Sequence, residues 1–407
     1  MEVLHPRCAG LDVHKNTVVA CVRLIQGRKV SRETRTFGTT TSELLRLLEW
    51  LQKERVTQVA MEATGVYWKP VWHVLESSCA LVLANARQIK RVPGRKSDVT
   101  DAEWIADLAA HGLIHGSFVP PAPIQALRDL TRTRKQLTRQ RTQHIQRLQK
   151  VLEDANVKLD SVVSDLLGQS GRDMLEALAS GESDPRWIAR LAHPRLRASQ
   201  AELEEALRGR VTDHHRFLIR LHLGQIDAAD AAIRTLERHL EEELAPFRAH
   251  YERLQSIPGV SETVAAVILA EVGPDLSAFP QARNLLAWAG LSPGLDQSGP
   301  KQKNTRTRRR KWLKTTLVQA AWAAVKTKDS YYRAQYHRLK ARRGSKKAIV
   351  AVAASMLTAA YHMIKNGTEY RELGADYFQG RDKQLLAKQL VRRLRRIGYD
   401  VEFRAAA

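Results

Sequence analysis

The sequence predicts an α/β layer domain at the N-terminus followed by a long, mainly helical and basic remainder. Three observations carry this reading. Short strand-like segments alternate with helical ones up to residue 84, strand signal all but vanishes beyond the prolines of residues 120–123, and 66 Lys plus Arg stand against 43 Asp plus Glu. At 407 residues, two or three domains, each burying its own core, are expected.

The first strand is "AGLDV" from Ala9, the second is "TVVACVRL" after a turn at His14 to Asn16, and the third is "KVSRETRTF" with alternating side chains. Together they predict an antiparallel meander. Thr40 and Glu43 have capping-box spacing before "LLRLLEWL", whose apolar positions 44, 45, 47, 48 and 51 repeat with helical period. "VTQVAM" reads as a buried strand, "VYWKPVWHVLES" as a helix despite Pro70, and "ALVLA" as a further strand. The predicted order is βββαβαβ, closed by a helix from about Thr100.

Past the prolines, Arg132, Arg134, Lys135, Arg139, Arg141, Arg147 and Lys150 follow one another between Asp129 and Glu153 with no acid among them. Such a stripe is either a solvated face or a nucleic-acid contact. Ile226, Ala229, Ile233, Leu236 and Leu240 step by 3, 4, 3 and 4, the seam of a coiled coil or an antiparallel helical hairpin, so this middle segment is a candidate dimerising element. In "SIPGVSETVAAVILAEVG" a Pro-Gly turn precedes a helix that Ser261 is placed to cap, resembling a helix-hairpin-helix whose exposed N–H groups can hold a phosphate. Lys301, Lys303, Arg306, Arg308, Arg309, Arg310, Lys311 and Lys314 form the strongest basic segment, again without an acid. The 17 uncharged residues 348–364 include Ser355, Thr358, Tyr361 and His362 and predict a buried helix rather than a membrane span.

A net charge of +23 and an isoelectric point near 10.2 point to a polyanionic partner, nucleic acid above all, because phosphates exchange condensed counterions for bound Lys and Arg. Neither a lipidation signal nor a signal peptide is read, and no membrane partner is expected. Cys8, Cys21 and Cys79 are too few and too scattered for a disulfide framework or a zinc cluster, which suits a reducing cytoplasm.

Asp12 is placed near the end of the first strand and Glu62 at the end of the fourth, so their carboxylates meet at one sheet edge if those strands are neighbours. Asp98 and Asp101, three apart in "GRKSDVTDAEWIADL", are expected on one face at a helix start. Four converging acids repel one another, and a hard divalent cation, Mg²⁺ or Mn²⁺, relieves this through oxygen coordination. Taken singly, Asp98 and Asp101 read equally as helix-capping charges and Glu62 as a surface acid.

"GLDVHK", "MEATGVYW" and "GRKSDVTDAEWIADL" resemble the DEDD motifs of insertion-sequence 110 family transposases. "LQSIPGVSETVAAVILAEVG" with "LLAWAGLSPGLDQSG" resembles the C-terminal domain of the same family. The resemblance implies a RuvC-type, RNase H-like fold over residues 1–124 and a helical coiled-coil region over 125–250. It further implies a mainly α transposase domain over 251–378; the basic tail over 379–407 is not matched by it and reads as an appended helix or an RNA contact. Asp12, Glu62, Asp98 and Asp101 would be the metal-holding acids, and Ser298 the nucleophile of a covalent 5′-phosphoserine intermediate. Without the resemblance Ser298 reads as a turn residue no better than Ser292.

The implied partners are donor and target DNA and a structured non-coding bridge RNA, acted on by a dimer of dimers. Two other functions fit the residues: a metal-dependent, junction-resolving nuclease with water as nucleophile, and a non-catalytic nucleic-acid-binding protein.

Overall fold

The computed structural model describes residues 2–27, 29–63, 65–85, 89, 100–293, 295–298, 301–304 and 312–400. At 26, 295–298, 301–304, 379–386 and 388–389 it describes the backbone alone. The chain divides into two compact units, Met1–Val119 and Pro120–Ala407.

In the first unit, β1 (Arg7–Val13), β2 (Thr17–Gln26) and β3 (Lys29–Gly38) form the expected meander. Helix α1 (Thr41–Lys53), β4 (Gln58–Glu62), α2 (Trp68–Leu75), β5 (Ala80–Ala84) and α3 (Asp101–Ala110) follow. The strand order is β3-β2-β1-β4-β5. Neighbouring strands are antiparallel within the meander and parallel from β1 through β4 to β5. This mixed sheet with helices on its faces is the expected α/β layer.

Alternation along the strands sorts the two faces. Ala9, Leu11 and Val13 of β1, with Val59 and Met61 of β4, pack with Leu44, Leu47 and Trp50 of α1 and with Val71 and Leu75 of α2. Cys8 and Ala60 take the opposite face, with Ile105, Leu108 and Ala109 of α3. Gly10 lies where α3 crosses β1: a Cβ there would stand 2.2 Å from the Ala102 carbonyl oxygen and 2.3 Å from the Ala106 nitrogen. Only glycine lets the helix sit this low on the sheet.

One local expectation in this unit is corrected. Thr40 is the N-cap of α1 but makes no side-chain cap. Glu43 instead accepts from the Gly38 N–H at 3.3 Å and from Arg46 Nη1 at 2.6 Å, because an arginine one turn on outcompetes the neutral cap. The capping box forms at α3, where Thr100 accepts from the Glu103 N–H and Glu103 accepts from the Thr100 N–H. Pro70 is tolerated in the first turn of α2, where its missing N–H has no helical partner to lose.

The second unit opens with α4 (Ala122–Asp154), continues through α5 (Leu159–Val162), α6 (Gln169–Ser180), α7 (Pro185–Ala189) and α8 (Gln200–Ala206), and returns along α9 (Asp213–Leu244). Arg134 meets Glu237, Arg141 meets Asp230, His144 meets His222 and Asp154 meets His215, so α4 and α9 run antiparallel. Of the predicted seam, Ile226, Ala229 and Leu240 are buried and Ile233 and Leu236 half-buried; within this chain the seam serves an antiparallel hairpin.

Beyond it come α10 (Arg248–Gln255), α11 (Glu262–Val272), α12 (Ala282–Ala289), the hairpin β6 (Leu295–Ser298) and β7 (Lys301–Asn304), α13 (Leu313–Ala324), α14 (Tyr331–Arg343), α15 (Ser345–Asn366) and α16 (Tyr377–Arg396). Ser261 precedes α11 without a side-chain cap, correcting the expected one. Gly259, at φ +82°, instead lets its turn press on α13, where a Cβ would stand 2.5 Å from the Ala320 carbonyl oxygen. The uncharged run lies within α15, long and apolar enough to cross a membrane by length and composition alone. Its Ala348, Val352, Leu357 and Ala360 are fully buried, and Tyr361 Oη donates to the Phe279 and Pro280 carbonyls at 2.9 Å.

Candidate active site and nucleic-acid interface

Asp12 and Glu62 stand at the carboxyl ends of neighbouring parallel strands. The β1–β4 register ends with Leu11 beside Met61, and one further step brings Asp12 beside Glu62. Both carboxylates share the parity of Gly10 and Ala60, which places them on the α3 face of the sheet. Asp101 is the first residue of α3, whose Ala102 lies over Gly10, two residues before Asp12.

Asp12, its side chain 19% exposed, has Oδ2 at 3.1 Å from His14 Nε2. The helix starts at Asp101, one turn later than a face shared with Asp98 requires, and Asp98 itself lies outside the described residues. Among the described residues no group of three or more His, Cys, Asp or Glu stands together as a metal site.

A second acid on α3 has a different setting. Asp107 accepts from Arg23 Nε at 2.7 Å and from Arg32 Nη2 at 2.8 and 3.0 Å, with the Arg23 side chain only 5% exposed. These bonds tie α3 to β2 and β3. Burial pushes the Cys8 thiol, whose Sγ donates to the Ala106 carbonyl, up to about 11, so it stays protonated and inert at neutral pH.

Ser298 closes β6, with its backbone registered opposite Lys301; Lys303, also on β7, faces Asp296. Arg306, Arg308, Arg309, Arg310 and Lys311 lie outside the described residues.

The stripe on α4 does not remain unopposed, because other helices bring acids to it. Arg132 makes a bidentate pair with Glu271 at 2.8 and 2.9 Å. Arg128 donates to the Ala270 and Glu271 carbonyls, satisfying the carboxyl end of α11. Arg134 pairs with Glu237 and Arg141 with Asp230, both across to α9. Lys135 and Arg139 instead flank the Trp312 ring at 5.6 and 5.7 Å.

His14, Glu271 and Trp312 escaped the sequence reading. His14 stood inside a quoted motif, whereas nothing local distinguished Glu271 or Trp312 from their neighbours.

Two family models match the chain: a DEDD transposase model of the insertion-sequence 110 type over residues 9–157, and a transposase model of the IS116/IS110/IS902 family over residues 251–337. A probable family 20 transposase of Pseudomonas aeruginosa is 26% identical over 275 residues, covering 66% of this chain and 71% of that protein. The transposase for insertion sequence element IS1111A of Coxiella burnetii is 25% identical over 378 residues, covering 89% and 90%. The RuvC structure of Thermus thermophilus aligns with 17% identity and a TM-score of 0.22, covering 27% of this chain and 99% of that one.

Proposed function

Because the chain belongs to the insertion-sequence 110 family of transposases, we propose that it recombines DNA strands through a covalent link between Ser298 and a 5′-phosphate. The single observation that carries this reading is the parallel pairing of β1 with β4. It sets Asp12 and Glu62 side by side on the face that Asp101 enters with α3. Such a grouping of carboxylates suits phosphate chemistry.

The donor set Asp12, Glu62, Asp98 and Asp101 is entirely carboxylate oxygen, which fits a hard divalent cation, Mg²⁺ or Mn²⁺, rather than zinc. Such an ion, when bound, supplies Lewis-acid stabilisation of charge on phosphate oxygens. The protein residues do the rest. The Ser298 hydroxyl attacks the phosphorus, the Oγ–P bond forms as the P–O3′ bond breaks, and the serine proton is passed on as the leaving 3′-oxygen is protonated. Attack by a second 3′-hydroxyl reverses these changes and releases the serine.

In this reading base pairing by a structured bridge RNA selects the DNA sequences. The protein grips backbones through Lys301, Lys303, Arg306, Arg308, Arg309, Arg310 and Lys311, and a dimer of dimers holds two duplexes. The domain limits of this reading are 1–124, 125–250, 251–378 and 379–407, with the middle helices as the dimerising segment.

The test mixes protein, candidate RNA, labelled donor and target DNA, and Mg²⁺, and looks for a protein–DNA adduct on denaturing gels. The adduct is expected with wild type and absent from Ser298→Ala and Asp12→Ala. Free cut ends that survive Ser298→Ala but vanish in Asp12→Ala would make the protein a hydrolytic nuclease instead.

A further inference from the structure

The α4 stripe sorts into two kinds of cation. Arg132, Arg134 and Arg141 each have a carboxylate, whereas Lys135 and Arg139 have none within ion-pair distance among the described residues. From this we infer that Lys135 and Arg139, held around the Trp312 ring, form a phosphodiester-binding subsite on the second unit.

Three cations surround one indole: Arg132 at 5.4 Å, Lys135 at 5.6 Å and Arg139 at 5.7 Å from the ring centre. The ring's electrons attract all three, but the cations repel one another. Glu271 is the nearby acid. Both its oxygens are engaged by Arg132, and Arg128 stands 3.7 Å away, so this one carboxylate already serves two guanidinium groups. Lys135 is left as a half-buried ammonium, lowered from the usual lysine value by burial and then by Arg139.

Its position is nonetheless built. Nζ donates to Thr315 Oγ1 at 2.6 Å, and that hydroxyl donates onward to the Trp312 carbonyl at 3.0 Å, fixing the lysine against the start of α13. Among the described residues no carboxylate lies within ion-pair distance of this half-buried cation or of the exposed arginine beside it. An oxygen anion bridging Lys135 and Arg139 would relieve their repulsion and receive charge-assisted hydrogen bonds from both. A nucleic-acid backbone supplies such oxygens one charge at a time, and the acid-free segment Lys301 to Lys311 immediately precedes Trp312 in the chain. The subsite rests on the reading of the chain as a nucleic-acid-processing protein and not on Ser298 chemistry.

The test measures binding of a labelled DNA duplex, a single-stranded RNA and polyglutamate to the full-length protein over a salt series without divalent cation. Lys135→Gln/Arg139→Gln is expected to weaken nucleic-acid binding about tenfold and to reduce the salt slope by about 1.5, near 0.7–0.9 for each lost contact. Lys135→Arg should keep the slope. Arg141→Gln, which removes a cation already paired with Asp230, should leave it unchanged.

Loss on DNA alone or RNA alone identifies which backbone the subsite holds. An unchanged slope in the double variant, an equal loss in Arg141→Gln, or loss confined to polyglutamate overturns the inference. Because no strand cleavage is required, a missing Ser298 adduct leaves this result standing.

Discussion

Asp107 and Asp12 belong to the same unit and have nearly equal side-chain exposure, 22% and 19%, yet they face opposite neighbours. Asp107 is met by two guanidinium groups, one of them buried on β2. Asp12 is met by His14, an imidazole whose side chain is 58% exposed and which carries charge only when protonated. The first carboxylate is neutralised inside the fold and serves as a brace between helix and sheet. The second stands at the carboxyl end of the sheet, on the face that α3 covers. Burial alone would not separate these roles; the identity of the neighbour does.

The contrast predicts different losses. Asp12→Ala should lower strand transfer by about 10²–10³-fold or more in an adduct assay while thermal unfolding stays near wild type, since it removes charge needed only during reaction. Asp107→Ala strands the buried Arg23 guanidinium and should cost about 3–5 kcal/mol in urea unfolding; Glu271→Ala should cost less, because Arg132 is 34% exposed and Arg128 keeps its bonds to the Ala270 and Glu271 carbonyls. If Asp12→Ala proved as destabilising as Asp107→Ala, the distinction between brace and site would fail. Gly10→Ala drives a methyl into the α3 backbone and should cost about 1–3 kcal/mol, with activity falling as α3 and Asp101 are displaced.

The smallest effect is a pH dependence in the helical hairpin. Burial, then the His144 imidazole and Arg147, hold His222 below the ordinary imidazole range. The unfolded chain therefore takes up that proton first as pH falls below about 6.5, so the hairpin loses stability on acidification down to the lowered folded value. His222→Gln should flatten part of this slope in thermal unfolding from pH 7.5 to 5. An unchanged slope would assign the pH dependence to other groups, among them His250, which burial also lowers.

Where the sequence reading succeeded, the signal was local. The meander, β4, β5 and α3 are legible because apolar residues alternate or repeat over windows of five to ten residues. Glu62 at the end of β4 and Asp12 one residue before the end of β1 followed from the same patterns. Reading failed where two partners competed for one group. Glu43 left the Thr40 cap for Arg46 and Gly38, and Ser261 gave way to a turn whose glycine is fixed by contact with α13.

The basic stripe failed for a different reason. The acids that neutralise Arg141, Arg134 and Arg132 lie 89, 103 and 139 residues away, beyond any local pattern.

Charge, periodicity and motif order established from the residue string that this chain carries an α/β acid-bearing domain, a helical remainder and a strongly positive net charge. Each depends on a sum or a spacing along the chain. Which charges remain available was settled only when helices and strands came together. Electrostatic and hydrogen-bond energies depend on separations of a few ångströms, and folding sets those separations between residues remote in sequence. Asp107 and three of the stripe's arginines are thereby engaged within the fold, whereas among the described residues Lys135 and Arg139 have no carboxylate within ion-pair distance.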